Sequence, residues 1–253
     1  MKGAGAIVLV GGRSRRMGRP KCWLPFGGER MLARVVRRVA EAADPVVVVA
    51  ATGQEIPEAP GVSATARDAV ADRGPLQGLT AGLRALPESI DLAFMAATDM
   101  AMLRPAWIER LADLIGEHDL AIPRVGGFFQ PMAALYRRST VLPAVGCLLA
   151  EDRMRPAFLV ESVRSRIVAE EELRGIDPDL ESLGNLNTPD DYRQALARAG
   201  FPADDWDRPI PTTVELFGIP KLRAGTGRAQ VVGSTIGEAL AALADAYPAS
   251  TAR

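Results

Sequence analysis

The apolar run at residues 6–10 (Ala-Ile-Val-Leu-Val) breaks directly into Gly11-Gly12 and then into a basic loop, Arg13-Ser14-Arg15-Arg16-Met17-Gly18-Arg19-Pro20-Lys21. The run reads as a strand buried on both faces of a parallel sheet, because its apolar residues are continuous rather than alternating. Glycines let the backbone approach a ligand closely, successive amides can form a concave nest, and arginine and lysine add positive charge. A strand that ends this way points to a bound anion, and a nucleotide polyphosphate is its natural ligand. Two common phosphate loops do not fit. A Walker A loop has four residues between its glycines, followed by Gly-Lys-Ser/Thr. Here five residues separate Gly12 from Gly18, and Arg19 follows. The dinucleotide fingerprint G-x-G-x-x-G is also absent at this strand end.

Apolar runs and helical patterns then alternate. Strands are expected at 6–10, 46–50, 92–97, 120–123, 132–136 and 166–169. Helices are expected at 31–43, 79–86, 106–117, 141–150 and 155–162. Arg34, Arg37, Arg38 and Glu41 form a polar face on the first of these helices. Thr188-Pro189-Asp190-Asp191 is a strong helix start, with a capping threonine, proline at the first helical position and two acids in the electropositive first turn. This alternation predicts an α/β fold, a mostly parallel sheet with helices on both faces.

Composition narrows the chemistry. The net charge of −1 gives no bulk attraction to nucleic acid or to a membrane. Cys22 and Cys147 are too few for a disulfide framework or a cysteine-based zinc site. The single histidine, His118, falls in an expected helix-to-strand turn and argues against histidine-based catalysis. The first ten residues carry one lysine and only a short apolar run, so neither a signal peptide nor a membrane span is expected, and a cytoplasmic location follows.

After Gly200 the composition changes. Residues 201–211 are acidic and proline-rich and read as a linker. Beyond them, 213–217 and 229–232 read as strands, with a turn at Gly225-Thr226-Gly227, and Thr235-Ile236-Gly237-Glu238 reads as a capping box opening a helix. The expected division is therefore 1–200, a linker at 201–211, and a small unit at 212–253.

Several blocks of the first part resemble one family. Gly11-Gly12-x-Ser14-x-Arg16-Met17-Gly18-x-x-Lys21, followed by Leu24-Pro25-Phe26-Gly27-Gly28, is similar to the nucleotide loop of the molybdenum cofactor guanylyltransferases, the MobA family. Further matches come in order: Arg67-Asp68, Gly74-Pro75-Leu76-Gln77-Gly78, Asp99 after a buried strand, Gln130-Pro131-Met132, and Asn185-Leu186-Asn187-Thr188-Pro189-Asp190. One block departs from the pattern. The family usually has Pro-Cys-Asp-x-Pro where this chain has Ala97-Thr98-Asp99-Met100-Ala101, so the carboxylate is kept and its neighbours are not. The resemblance implies a three-layer Rossmann-like nucleotidyltransferase fold. It implies nucleotide contacts from Leu9, Val10, Gly11, Gly12, Arg13, Ser14, Lys21, Asp68, Gly74, Pro75, Leu76 and Asp99. It also implies Arg16, Lys21 and Asp99 as the catalytic set, Asp99 as the ligand of Mg²⁺ (or Mn²⁺), and Asn185 and Asn187 at the pterin end. Within the tail, Val214-Glu215-Leu216-Phe217-Gly218 and Thr235-Ile236-Gly237-Glu238-Ala239-Leu240 resemble the MoaD family of small sulfur carriers. That likeness implies a partial, truncated β-grasp unit, since the later strands and a terminal diglycine are absent.

The implied reaction transfers GMP from GTP to molybdenum-molybdopterin and releases pyrophosphate. A phosphate monoester has a second pKa of about 6 and is largely ionised at neutral pH, so the attacking group needs no general base. Other proteins of molybdenum cofactor biosynthesis are implied partners. Two alternatives stand beside this reading: a cytidylyltransferase for the same cofactor or another small-molecule nucleotidyltransferase, and a non-catalytic protein that binds or delivers the cofactor.

Overall fold

The computed structural model describes residues 3–11, 17, 19–68, 74–202, 211–233 and 236–248. The expected capping residue Thr235 lies outside them. The strand before the glycines, β1 (Ala4–Val10), is buried along its whole length. A two-residue ribbon, β2 (Pro25–Phe26) and β3 (Glu29–Arg30), leads into α1 (Met31–Ala40), β4 (Val46–Ala51) and β5 (Val62–Asp68). Next come α2 (Pro75–Ala85), β6 (Leu92–Ala97), α3 (Pro105–Ile115), β7 (Leu120–Val125), β8 (Phe128–Phe129) and β9 (Ala134–Arg137). The rest of this part is α4 (Arg138–Ala150), α5 (Leu159–Ser162), β10 (Ser165–Ala169), α6 (Glu171–Arg174) and α7 (Pro189–Arg198).

The main sheet has eight strands in the order β10-β7-β9-β6-β1-β4-β5, with β8 paired to β7. β6, β1, β4 and β5 run parallel, and β9 is antiparallel to both of its neighbours. Alternate residues of β1 face two separate cores. Ala6, Val8 and Val10 pack with α1 and α3 on one side. Ile7 and Leu9 pack with α2 and α4 on the other. This is the expected architecture of helices on both faces, a three-layer α/β fold. Packing against α2 is close: a Cβ on Gly82 would fall 2.4 Å from Ile7 Cγ2.

Several expectations shift. The helix expected at 79–86 begins at Pro75, because Gly74 at φ 84° turns the chain and Pro75 opens the first turn. The Gly-Pro block is thus the helix start itself. The helix expected at 141–150 likewise begins earlier, at Arg138. Neither Arg34 nor Arg38 is merely part of a solvated face. Arg34 Nε donates to Ala101 O at 2.7 Å and its guanidinium stacks on Phe26, while Arg38 Nε donates to Leu103 O at 3.1 Å.

Phe201, which composition assigns to a linker, packs on the main fold. Phe201 meets Phe26 edge-on, with ring centroids 5.8 Å apart, and belongs to a core with Tyr192 and Leu196 of α7. Beyond residue 210 come β11 (Pro211–Glu215), α8 (Gly218–Ala224), β12 (Arg228–Val232) and α9 (Ile236–Ala246). β11 and β12 form their own antiparallel pair, over a small core of Leu216, Ala229, Val231 and Leu243. A helix joins these strands instead of a tight turn alone. Gly225, at φ 69°, ends it in the left-handed conformation that suits glycine. Phe217, Ile219, Leu222, Ile236 and Leu240 remain exposed.

Candidate active site

Because β1, β4, β5 and β6 are parallel, their carboxyl ends meet at one edge of the sheet. Open α/β sheets bind ligands in the crevice at that edge. A cleft of about 740 Å³ lies there. Its floor is Leu9, Val10 and Gly11 at the end of β1, with Ala97, Thr98 and Asp99 at the end of β6. One wall carries Val49, Ala50 and Ala51 at the end of β4, Gln54 just past it, Asp68 at the end of β5, and Gly74, Pro75 and Gly78 of the α2 start. Lys21, Met132, Asn185 and Asn187 complete the lining. The first-turn amides of a helix have no intrahelical acceptor, so the start of α2 offers donors to a ligand.

Lys21 and Asp99 are 78 residues apart in sequence and form an ion pair of 2.7 Å between Nζ and Oδ2. Both side chains are mostly buried, at 15% and 16% exposure. Lys21 Nζ also donates to Asn187 Oδ1 at 3.0 Å. The other oxygen of Asp99, Oδ1, is buried and has no hydrogen-bond partner among the described residues. A buried carboxylate oxygen left this way is costly, and such an atom calls for a ligand.

The altered neighbours of Asp99 have a structural account. Thr98 is buried, and both its amide and its hydroxyl donate to Leu9 O, at 3.1 and 2.9 Å. The loop after β6 is therefore tied to the end of β1 without the prolines of the related pattern. On the opposite wall, Arg67 Nη1 donates to the carbonyls of Ala51 and Gln54, at 3.2 and 2.7 Å. That holds the turn after β4 against the end of β5.

The Asn185–Asn187 segment is held by α7. Tyr192 donates its hydroxyl to Pro25 O, which fastens the helix to the ribbon beside Lys21. Thr188 caps α7 as the sequence indicates, and the structure adds a reciprocal bond from Asp191 that makes it a capping box.

The expected residues thus divide into three groups. Leu9, Val10, Gly11, Lys21, Asp68, Gly74, Pro75, Asp99, Asn185 and Asn187 come together at the cleft. The side chain of Leu76 does not join them: it is fully buried with Leu79 and Leu83 in the core beneath the sheet. Leu76 follows the opening proline of α2, and its side chain falls on the face that packs on β1. Gly12, Arg13, Ser14 and Arg16 lie outside the described residues. Sequence reasoning missed Gln54 and Thr98. Gln54 could have been found as a polar residue just past a buried strand, whereas Thr98 carried no signal beyond its place before Asp99.

An open α/β sheet with a glycine-ended central strand, a cationic side chain and a strand-end carboxylate on one crevice is built to take an anionic ligand such as a nucleotide. Comparison with known proteins narrows the class. A family model described as "MobA-like NTP transferase domain" matches residues 6–165, and the chain belongs to that family. A protein of Desulfosudis oleivorans named molybdenum cofactor guanylyltransferase is 33% identical over 193 residues, spanning 76% of this chain and 93% of its own. One of the same name from Syntrophotalea carbinolica is 30% identical over 196 residues, spanning 77% and 91%. Among solved structures, molybdopterin-guanine dinucleotide biosynthesis protein A of Archaeoglobus fulgidus superposes with a TM-score of 0.63 at 23% identity, covering 78% of this chain and 98% of that one. The 2-C-methyl-D-erythritol 4-phosphate cytidylyltransferase of Thermus thermophilus gives 0.59 at 15% identity, covering 78% and 99%. The fold alone therefore does not select the base.

Proposed function

We propose that this chain transfers GMP from GTP to the terminal phosphate of molybdenum-molybdopterin. The observation that carries the reading is the Lys21–Asp99 pair, set where the parallel strands end, with Asp99 Oδ1 buried and unmatched. In this reading the triphosphate lies over Gly11 and against Lys21. The base and ribose lie toward Gln54, Asp68 and the α2 start, and the second substrate enters past Asn185 and Asn187. An oxygen of its phosphate attacks the α-phosphorus of GTP, the bond from that phosphorus to the bridging oxygen breaks, and pyrophosphate leaves. The nucleophile is already ionised, so the protein must align two anions and neutralise their charge. Lys21 does this for the leaving pyrophosphate. Among the described residues no cluster of three or more histidine, cysteine or acidic side chains could hold a metal. Asp99 alone still fits Mg²⁺ or Mn²⁺: Mg²⁺ is commonly bound through one or two carboxylates and takes its other ligands from phosphates and water. When bound, such a cation neutralises and orients the phosphates.

Guanine as the base is supported by the names of the relatives, which set it above the cytidylyl alternative. Affinities for GTP, CTP and ATP in magnesium test this, and GTP should bind tightest. Preference for CTP would move the assignment to cytidylyl transfer. No described helix is long and apolar enough to cross a membrane; we place the reaction in the cytoplasm.

The tail is proposed as a separate unit, dispensable for transfer. Every described residue of the cleft precedes Gly200, and the described residues of the small core under β11 and β12 all belong to the tail. A chain ending at Ala203 keeps Phe201 on Phe26 and should transfer GMP at the rate of the full chain. If that shorter chain folds and has lost transfer, the tail belongs to the active unit.

A further inference from the structure

We propose that Asn187 is a positioning residue for the nucleotide half of the site: its amide oxygen holds the Lys21 ammonium beside Asp99, and the cap of α7 holds Asn187. This deepens the nucleotidyltransferase reading and rests on it. The resemblance implies a different role for Asn187, contact with the pterin, and gives it no part in placing the phosphate-binding lysine.

The chain of contacts runs from the helix to the carboxylate. The amides of Asn187 and Thr188 both donate to Asp191 Oδ2, at 3.1 and 2.8 Å. The Asp191 amide donates back to Thr188 Oγ1 at 3.1 Å. The Asn187 amide is also 3.1 Å from Asn185 O, so the backbone on both sides of the side chain is fixed. From this anchor Asn187 Oδ1 accepts from Lys21 Nζ at 3.0 Å, across 166 residues of sequence, and Lys21 Nζ reaches Asp99 at 2.7 Å. Hydrogen bonds from Thr188 hold the Asp191 carboxyl below its usual range, and the charge of Lys21 adds a smaller push the same way.

The arrangement has a physical purpose. A lysine is a point charge on a flexible four-carbon stem, and ordering that stem opposes binding. Asp99 alone fixes the distance of the ammonium but lets it swing about the carboxylate. The second acceptor, on a rigid helix cap, sets one position before the nucleotide arrives. Preorganised charge costs less to use than charge that must first be gathered. Asn187 is neutral, so it fixes the lysine without adding a second negative charge beside the phosphates.

The test measures GTP affinity in magnesium with no second substrate present, together with the rate at which Lys21 is reductively methylated by formaldehyde and borane. Asn187→Ala should weaken GTP binding roughly tenfold, the scale of one hydrogen bond to a charged group. It should add nothing in a Lys21→Ala background, and it should speed methylation of Lys21. Asn187→Asp keeps an oxygen at that position and should leave Lys21 protected. Unchanged GTP affinity with a raised KM for molybdopterin would overturn the inference and leave Asn187 a pterin contact. If the wild-type chain binds no nucleotide, the functional reading fails instead. The methylation rates then decide this inference alone: faster labelling in Asn187→Ala supports it, and equal labelling overturns it. Should Asn187→Ala fail to fold, Asn187→Leu keeps the shape without the acceptor and takes its place in both measurements.

Discussion

Asp99→Asn should lower kcat/KM for transfer at least about 1,000-fold and leave the melting temperature close to that of the wild type. The amide keeps the size and planarity of the carboxylate, and the backbone of its loop is held by Thr98 on Leu9 O rather than by Asp99. The fold therefore loses the negative charge of one mostly buried ion pair, while the amide oxygen still accepts from Lys21 Nζ. The reaction loses more. A cation clamp on transferring phosphates is worth several kcal/mol, and each ~1.4 kcal/mol is tenfold in rate. Rate against magnesium concentration separates this from a simple loss of charge. The wild-type rate should rise and saturate with magnesium, and the variant should stay flat. Full activity of Asp99→Asn at low magnesium would place the cation on another group.

Lys21→Ala should weaken GTP binding by roughly 10- to 100-fold and lower kcat about 100-fold or more. A hydrogen bond to a charged group is worth about 1.5–3 kcal/mol, and removal of one preorganised donor from a site of developing negative charge costs about 100- to 1,000-fold in rate. The change also removes the ammonium 2.7 Å from Asp99, so the carboxylate meets the incoming phosphates without that positive charge beside it. Lys21→Arg should recover only part of the loss, because a planar guanidinium does not occupy the place of a compact ammonium held by Asp99 and Asn187. Wild-type affinity and rate in folded Lys21→Ala would remove the lysine from the reaction.

Much of this site was legible because it sits next to strong local signals. The apolar run at 6–10 and its glycines marked the central strand and its carboxyl end, and Asp99 followed a second buried run. Thr188, Pro189 and Asp191 announced the start of α7 through capping chemistry that depends on neighbours in sequence. Other features were set by tertiary structure. β5, Val-Ser-Ala-Thr-Ala-Arg-Asp, lies at the sheet edge and is largely exposed, so it has no apolar run to betray it, yet it delivers Asp68 to the cleft. β9 is apolar like its neighbours, and nothing in its periodicity states that it runs antiparallel. Leu76 shares a motif with Gly74 and Pro75, but helical geometry turns its side chain into the core. The bond from Asn187 to Lys21 depends on how α7 docks against the β2–β3 ribbon, which no local pattern records.

The central claim is a reaction, and pyrophosphate release measures it most directly. The purified full chain should release pyrophosphate from GTP in magnesium, in proportion to added molybdenum-molybdopterin, with the guanine dinucleotide form of the cofactor appearing at the same rate. GTP that binds tightly but yields no pyrophosphate in the presence of molybdenum-molybdopterin would contradict the assignment and leave a protein that holds the nucleotide without transferring it.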